Sequence, residues 1–229
     1  MSTLPRFETG TLPRSIAIDP PLSDAEFEAF CLENEGLRIE RTKEGTIQMN
    51  PPTGALTGDG NSEINRQLRN WWDTHLGGRV FDSNTGFFLP DGSMLSPDAS
   101  YVLPEQLEGI TRAQLAGILR LCPAFVIELL SESDSFAATA KKMQQWMASG
   151  AQLGWLIDPY RQRVLVYKLG YEPNTVTTQR VDGSGPVDGF SLDLSKVWRC
   201  YERAQLPAVV VSPDAPWPEG SFAGGSWGA

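Results

Sequence analysis

Three side chains of this sequence have the types and order needed to hold a divalent cation beside a phosphodiester. Asp98 stands in Ser96-Pro97-Asp98-Ala99-Ser100-Tyr101. Glu128 lies inside the apolar run Ala124-Phe125-Val126-Ile127-Glu128-Leu129-Leu130, and Lys142 follows on a helical segment. A carboxylate in such a run is costly to bury unless it is paired, protonated or metal-bound. Phosphodiester hydrolysis needs an attacking water, a stabilised leaving oxygen and neutralised charge on the phosphoryl oxygens. Asp98 and Glu128 are hard oxygen ligands of the kind that Mg²⁺ (or Mn²⁺) takes, one or two carboxylates with water filling the rest. The backbone carbonyl of Leu129 is a candidate neutral ligand. A lysine beside the cation would orient the water or offset charge on the phosphate.

Two lysines compete for that role. On the helix expected from Ser135 to Ser149, Phe136, Ala140, Met143 and Met147 form the core stripe. Lys142 shares a flank with Thr139 and Trp146, and Lys141 lies on the other flank with Gln144 and Gln145. Trp146, one turn on, favours Lys142 as the residue that faces protein, but periodicity alone leaves the choice open.

The rest of the composition narrows the chemistry. The chain has 229 residues, a hydrophobic content of 41% that suffices for a core, and a net charge of -9. That charge argues against a general nucleic-acid coating protein, which needs clustered Lys and Arg, without excluding a nuclease. The single histidine, His75, rules out a multi-histidine metal site and is expected to cap or pack at a helix end. Cys31, Cys122 and Cys200 are odd in number and far apart, giving neither a disulfide framework nor a zinc pattern. No apolar run approaches the ~18 residues of a membrane helix, and Met1 to Glu8 lacks the apolar centre of a signal peptide. The expectation is a cytoplasmic protein with no membrane partner.

The elements that must position the candidates read as one α+β domain over 21–198, between an N-terminal arm (1–20) and a C-terminal tail (199–229) rich in Pro, Gly and Ser. Ser23 and Glu26 form a capping box for a first helix. Arg38 to Arg41 and Gly45 to Met49 read as a hairpin. A second helix is expected from about Asn61 to His75, with Ile64, Leu68, Trp71 and Trp72 facing the core and Glu63 bordering that stripe. After the turn Pro90-Asp91-Gly92-Ser93, a strand from Met94 to Leu103 carries Asp98. The run Phe125 to Leu130 reads as a buried central strand. Asp134 is a good N-cap for the next helix. Strands at 154–158 and 163–167 follow.

These motifs resemble a family. Ser-Pro-Asp, then Phe-Val-Ile-Glu-Leu, then Ser-Glu-Ser-Asp-Ser, Ala-Lys-Lys-Met-Gln and Gly-Ala-Gln-Leu-Gly-Trp-Leu-Ile-Asp-Pro resemble the Uma-two family of restriction endonucleases, in the PD-(D/E)XK nuclease superfamily, over roughly Leu22 to Trp198. The resemblance implies a restriction-endonuclease-like αβββαβ core, a mixed sheet flanked by helices with an N-terminal helix plus hairpin. It maps the metal carboxylates onto Asp98 and Glu128, and the acidic residue of the first core helix onto Glu63. One departure stands out. The superfamily lysine two residues after the glutamate is replaced by Leu130, and Lys142 resembles the migrated lysine of this family. The implied catalytic set is Glu63, Asp98, Glu128 and Lys142, with Asp98, Glu128 and Leu129 on the metal and DNA as the substrate.

The expected function is a Mg²⁺-dependent DNA endonuclease. The alternative is a catalytically silent nuclease-fold module for binding or assembly, which the net acidity favours. A homodimer is expected because duplex DNA has two strands and closed twofold assemblies are common. An exposed strand at Arg163 to Tyr167, or the Trp-bearing tail, is the candidate contact.

Overall fold

The computed structural model of the protein describes residues 15–34, 36–75 and 77–202. Most of the expected arm and most of the expected tail lie outside these residues. In chain order the elements are β1 (Ser15–Ile16), α1 (Asp24–Glu33), β2 (Arg38–Arg41), β3 (Ile47–Asn50), α2 (Ala55–His75), β4 (Arg79–Asp82), β5 (Phe87–Phe88), β6 (Met94–Leu95), β7 (Ala99–Val102), α3 (Arg112–Leu115), β8 (Phe125–Leu129), α4 (Phe136–Ala148), β9 (Leu153–Asp158), β10 (Arg163–Lys168), β11 (Asn174–Val176), β12 (Arg180–Asp182), β13 (Ser191–Asp193) and α5 (Leu194–Tyr201).

They form two main sheets. The larger has the order β11-β10-β9-β8-β7-β4, and the smaller β1-β3-β2-β6-β5. In the larger sheet only β8 and β9 pair parallel, with α4 as their crossover, while β4, β7 and β8 pair antiparallel. The succession α2-β4-β7-β8-α4-β9 is the expected αβββαβ core in a mixed sheet. Strands β8 and β9 are buried at every position, as continuous apolar runs require when both faces of a sheet are covered. One face packs Phe125, Ile127 and Trp155 against Ile64 and Leu68 of α2. The other packs Val126 and Leu156 against Met143 and Trp146 of α4.

The smaller sheet packs beneath α1. Ser23 Oγ accepts from the Glu26 N–H at 3.3 Å while the Glu26 carboxylate accepts from the Ser23 N–H at 2.8 Å. This capping box starts the helix whose Phe27 and Phe30 are fully buried against Ile39, Ile47 and Met49.

Two boundaries and the placement of one strand differ from the sequence reading. α2 begins at Ala55, six residues before the expected Asn61, although Gly54, Gly58 and Gly60 are weak helix formers. Gly60 is needed for close approach: a Cβ there would lie 2.9 Å from Leu129 Cδ2 and 3.0 Å from the Tyr201 ring. The strand expected from Met94 to Leu103 is two strands in two sheets. Pro97 has no N–H to give a ladder, and the chain crosses from β6 to β7 there, leaving Asp98 at the fork between the sheets. β10, read as an exposed strand, is paired on both edges, by β9 and β11.

Candidate active site

The fork fixes the first carboxylate. The Asp98 N–H donates to the Ile127 carbonyl at 3.0 Å. Leu129, two residues further along β8, turns the same edge toward Asp98, and its N–H donates to Asp98 Oδ2 at 2.8 Å. Asn61 Nδ2 of α2 donates to Oδ1 at 3.0 Å, and Asn65 Nδ2 donates to the Asp98 carbonyl at 3.0 Å. Asp98 is thus held between β8 and α2. Its carboxyl is nonetheless raised above the usual range, because burial outweighs the Leu129 N–H and the distant positive charge of Lys142.

Glu128 projects from the middle of β8 toward α4 and is buried. Trp146 Nε1 donates to its Oε1 at 2.8 Å, and Lys142 Nζ lies 3.1 Å from the same oxygen. Burial pushes this carboxyl up to about 7 against the pull of Lys142, and the neighbouring Asp98 and Glu40 charges push the same way. Lys142 is also 2.9 Å from Glu40 Oε1 and donates to the Ser96 carbonyl at 2.9 Å. Burial disfavours the ammonium, but attraction to Glu128 and Glu40 prevails and raises its pKa. For Glu40 burial is again the largest effect, yet the Lys142 charge and the Ser96 N–H hold its carboxyl below the usual range. Two carboxylates therefore flank one lysine, and they differ: Glu40 carries its charge more readily than Glu128.

Asp98, Glu128 and Leu129 open onto a cleft of about 480 Å³ at this end of the larger sheet. Its other walls are Arg38, Tyr160, the segment 50–57 that leads into α2 and the loop 131–134. Ser131 to Asp134 is a turn before α4. Asp134 closes it by accepting from the Ser131 N–H at 2.8 Å, and the helix cap is Ser135, whose Oγ accepts from the Ala138 N–H, in place of the expected Asp134. Among the described residues no group of three or more His, Cys, Asp or Glu side chains is arranged to hold a metal ion. The donor set at the fork is two carboxylates and the edge of β8 at Leu129, a set suited to a hydrated hard cation and not to zinc.

The structure brings together Asp98, Glu128 and Lys142 and does not bring Glu63 to them. Glu63 pairs with Arg66 at 2.6 Å and accepts from Gln67 Nε2 at 2.8 Å. Gln67 in turn bonds the backbone of Asp193. The α2 residue beside Asp98 is Asn61, whose Oδ1 is buried without a hydrogen-bond partner. Extending the Ile64–Leu68 stripe back by one turn lands on Asn61 and Gly60, so this residue was legible from helical spacing. Glu40 was not. In Arg38-Ile39-Glu40-Arg41 it sits on the face of a hairpin that normally meets water.

The comparisons with known proteins now bear on this geometry. A family model described as Uma2, putative restriction endonuclease, matches residues 24–195, a span holding the larger sheet, all of the smaller one but β1, and every residue of the cluster. The chain belongs to the Uma2 family. Among solved structures this Uma2 protein is similar to a putative nuclease belonging to DUF820 from Anabaena variabilis. The TM-score is 0.58 at 24% sequence identity, over 71% of this chain and 90% of that one. At that identity the likeness establishes a shared fold. No curated protein matches the chain. No helix among the described residues is long and apolar enough to cross a membrane.

Proposed function

We propose that this Uma2 protein is a Mg²⁺- or Mn²⁺-dependent endonuclease that hydrolyses DNA phosphodiester bonds at the Asp98–Glu128 fork. The observation that carries the reading is one cleft lined by both carboxylates and Leu129, with Lys142 bonded to Glu128 behind them. Asp98, Glu128 and the Leu129 carbonyl would hold the cation. When bound, it would polarise the phosphoryl oxygen and lower the pKa of a coordinated water. The protein's own groups do the rest. The Leu129 N–H and Asn61 fix the Asp98 carboxylate, and Trp146 fixes one Glu128 oxygen. Lys142 supplies a positive charge next to Glu128, placed to orient the attacking water and offset phosphoryl charge. Arg38, on the cleft wall, is placed to meet a backbone phosphate. Two active sites acting on the two strands of a duplex make a homodimer the matching assembly. Glu63 belongs to the surface of α2 in this reading.

Calorimetric titration with Mn²⁺ tests the ligand set. The expected result is one site per chain, weakened roughly tenfold or more in Glu128→Gln. Unchanged affinity in that variant removes Glu128 from the metal.

The bonded state of Lys142 favours a second reading, a silent nuclease-fold module. All three ammonium hydrogens face oxygens of the protein, and Glu132 and Asp134 make the cleft rim acidic. Absence of cleavage on any DNA or RNA, with Mn²⁺ bound or not, selects that module.

A further inference from the structure

The small sheet contributes one buried charge to the fork. β2 is covered on both faces: Ile39 packs under α1, and Glu40, one residue on, turns the other way toward α4. Both Glu40 oxygens are held. Oε1 accepts from the Ser96 N–H at 2.8 Å and faces Lys142 Nζ at 2.9 Å, and Oε2 accepts from Asn50 Nδ2 at 3.3 Å. Only 7% of the residue is exposed. A carboxylate is kept at such a place only with a partner, and its charged partner here is Lys142.

The lysine has three hydrogens to give. They face Glu40, Glu128 and the Ser96 carbonyl. Glu128 is a proposed cation ligand, so its hold on the ammonium is the one that must loosen for the site to work. Glu40 and the Ser96 carbonyl lie on the small-sheet side, away from the proposed ligands, and can keep the ammonium in place when Glu128 lets go. The freed hydrogen would then point into the site.

We propose that Glu40 is a positioning residue: it anchors the Lys142 ammonium at the fork from the small sheet, so that α1, β2 and β3 are a working part of the active site. The inference rests on the reading of Lys142 as the site lysine. A glutamine at position 40 keeps the shape and an acceptor oxygen but removes the charge, which leaves Glu128 as the one carboxylate paired with Lys142. That change lowers the negative charge of the site by one and ties Glu128 more tightly, and both effects weaken cation binding.

The test uses the full chain labelled with ¹⁵N-lysine. The Lys142 ammonium signal is assigned by its absence in Lys142→Arg. In wild type a slowly exchanging signal is expected; in Glu40→Gln it should shift and broaden, and in Glu40→Asp, which restores the charge, it should partly return. Titration with Mn²⁺ alone should show affinity lowered roughly tenfold or more in Glu40→Gln and unchanged in Glu63→Gln, which makes the same charge change outside the fork. An unchanged Lys142 signal, or equal Mn²⁺ affinity in Glu40→Gln and wild type, overturns the proposal. Should Glu40→Gln not fold, Asn50→Ala, which frees Glu40 Oε2, must shift the same signal or the proposal falls. A wild type that cuts no nucleic acid while its Lys142 signal responds to Glu40→Gln upholds the anchor and rejects the nuclease reading instead.

Discussion

Two charged clusters border α2, and they use the same residue types to different ends. On its outer side Glu63 bonds Arg66 and Gln67, and Gln67 bonds the backbone of Asp193, whose carboxylate meets Lys196 at 3.4 Å. There Arg66 is half exposed and holds the Glu63 carboxyl below its usual range, mainly by hydrogen bonding. On its inner side Asn61 meets Asp98, and beyond it lie Glu128, Lys142 and Glu40. The inner cluster has lost most of its water, so its charges depend on one another. Glu128 is pushed up to about 7 by burial, while for Glu40 burial is outweighed by Lys142, the Ser96 N–H and Asn50, which hold the carboxyl low. An ion pair in water is an ornament worth ~0–1 kcal/mol. Buried carboxylates that share one lysine, with Glu128 and Asp98 on a cleft wall, are groups whose protonation a cation or substrate can change. The contrast teaches that burial, and not the presence of a Glu on the first core helix, marks where chemistry is possible.

That contrast predicts its largest effect at the lysine. Lys142→Ala leaves two buried carboxylates without their cation and should cost about 3–5 kcal/mol at pH 8 by thermal or denaturant melt. Lys141→Ala should change stability by less than about 0.5 kcal/mol. Equal losses in the two variants would erase the distinction between the flanks of α4.

The next effect is a pH dependence. A carboxyl raised to about 7 in the fold binds a proton that the unfolded chain has already lost. Its contribution to stability is complete below the unfolded value and fades as pH rises through 7. Asp98, also raised, acts with the same sign. Between pH 5 and pH 8, wild type should lose up to about 3 kcal/mol that Glu128→Gln does not lose. Parallel pH profiles for the two proteins would show that Glu128 is not the strained carboxyl.

At the outer cluster the effects should be smallest. Arg66→Ala and Glu63→Gln should each shift stability by less than about 1 kcal/mol, and the loss should shrink further at high salt. A Glu63→Gln variant with weakened Mn²⁺ binding would move Glu63 into the site and dissolve the comparison.

The legibility of the two clusters differs for a reason of distance along the chain. The core order, the buried β8 and the capping box at Ser23 are local signals, whereas the period of α4 alone did not choose between Lys142 and Lys141. Asp98 and Glu128 stood out because an Asp after Pro and a Glu inside an apolar strand break their local patterns. Glu40 breaks no pattern within its hairpin. It is buried because α4, roughly a hundred residues later, lays Lys142 over it. The early start of α2 was hidden by three glycines, of which Gly60 serves the packing of the helix on β8. The resemblance put the acidic residue of the first core helix at Glu63, whereas the stripe through Ile64 and Leu68 leads back to Asn61.

The central claim is that the fork cuts DNA with a bound divalent cation. It is tested most directly by incubating wild type and Asp98→Asn with single- and double-stranded DNA, with Mg²⁺, Mn²⁺ or a chelator. Melts in parallel establish that the variant is folded. The account predicts cleavage by wild type with either metal, none with chelator, and a rate at least about a hundredfold lower in Asp98→Asn, the scale expected when a metal ligand or a misplaced reacting group is at stake. Cleavage that survives the chelator, or runs equally fast in Asp98→Asn, would contradict it, as would a folded wild type that leaves every DNA intact.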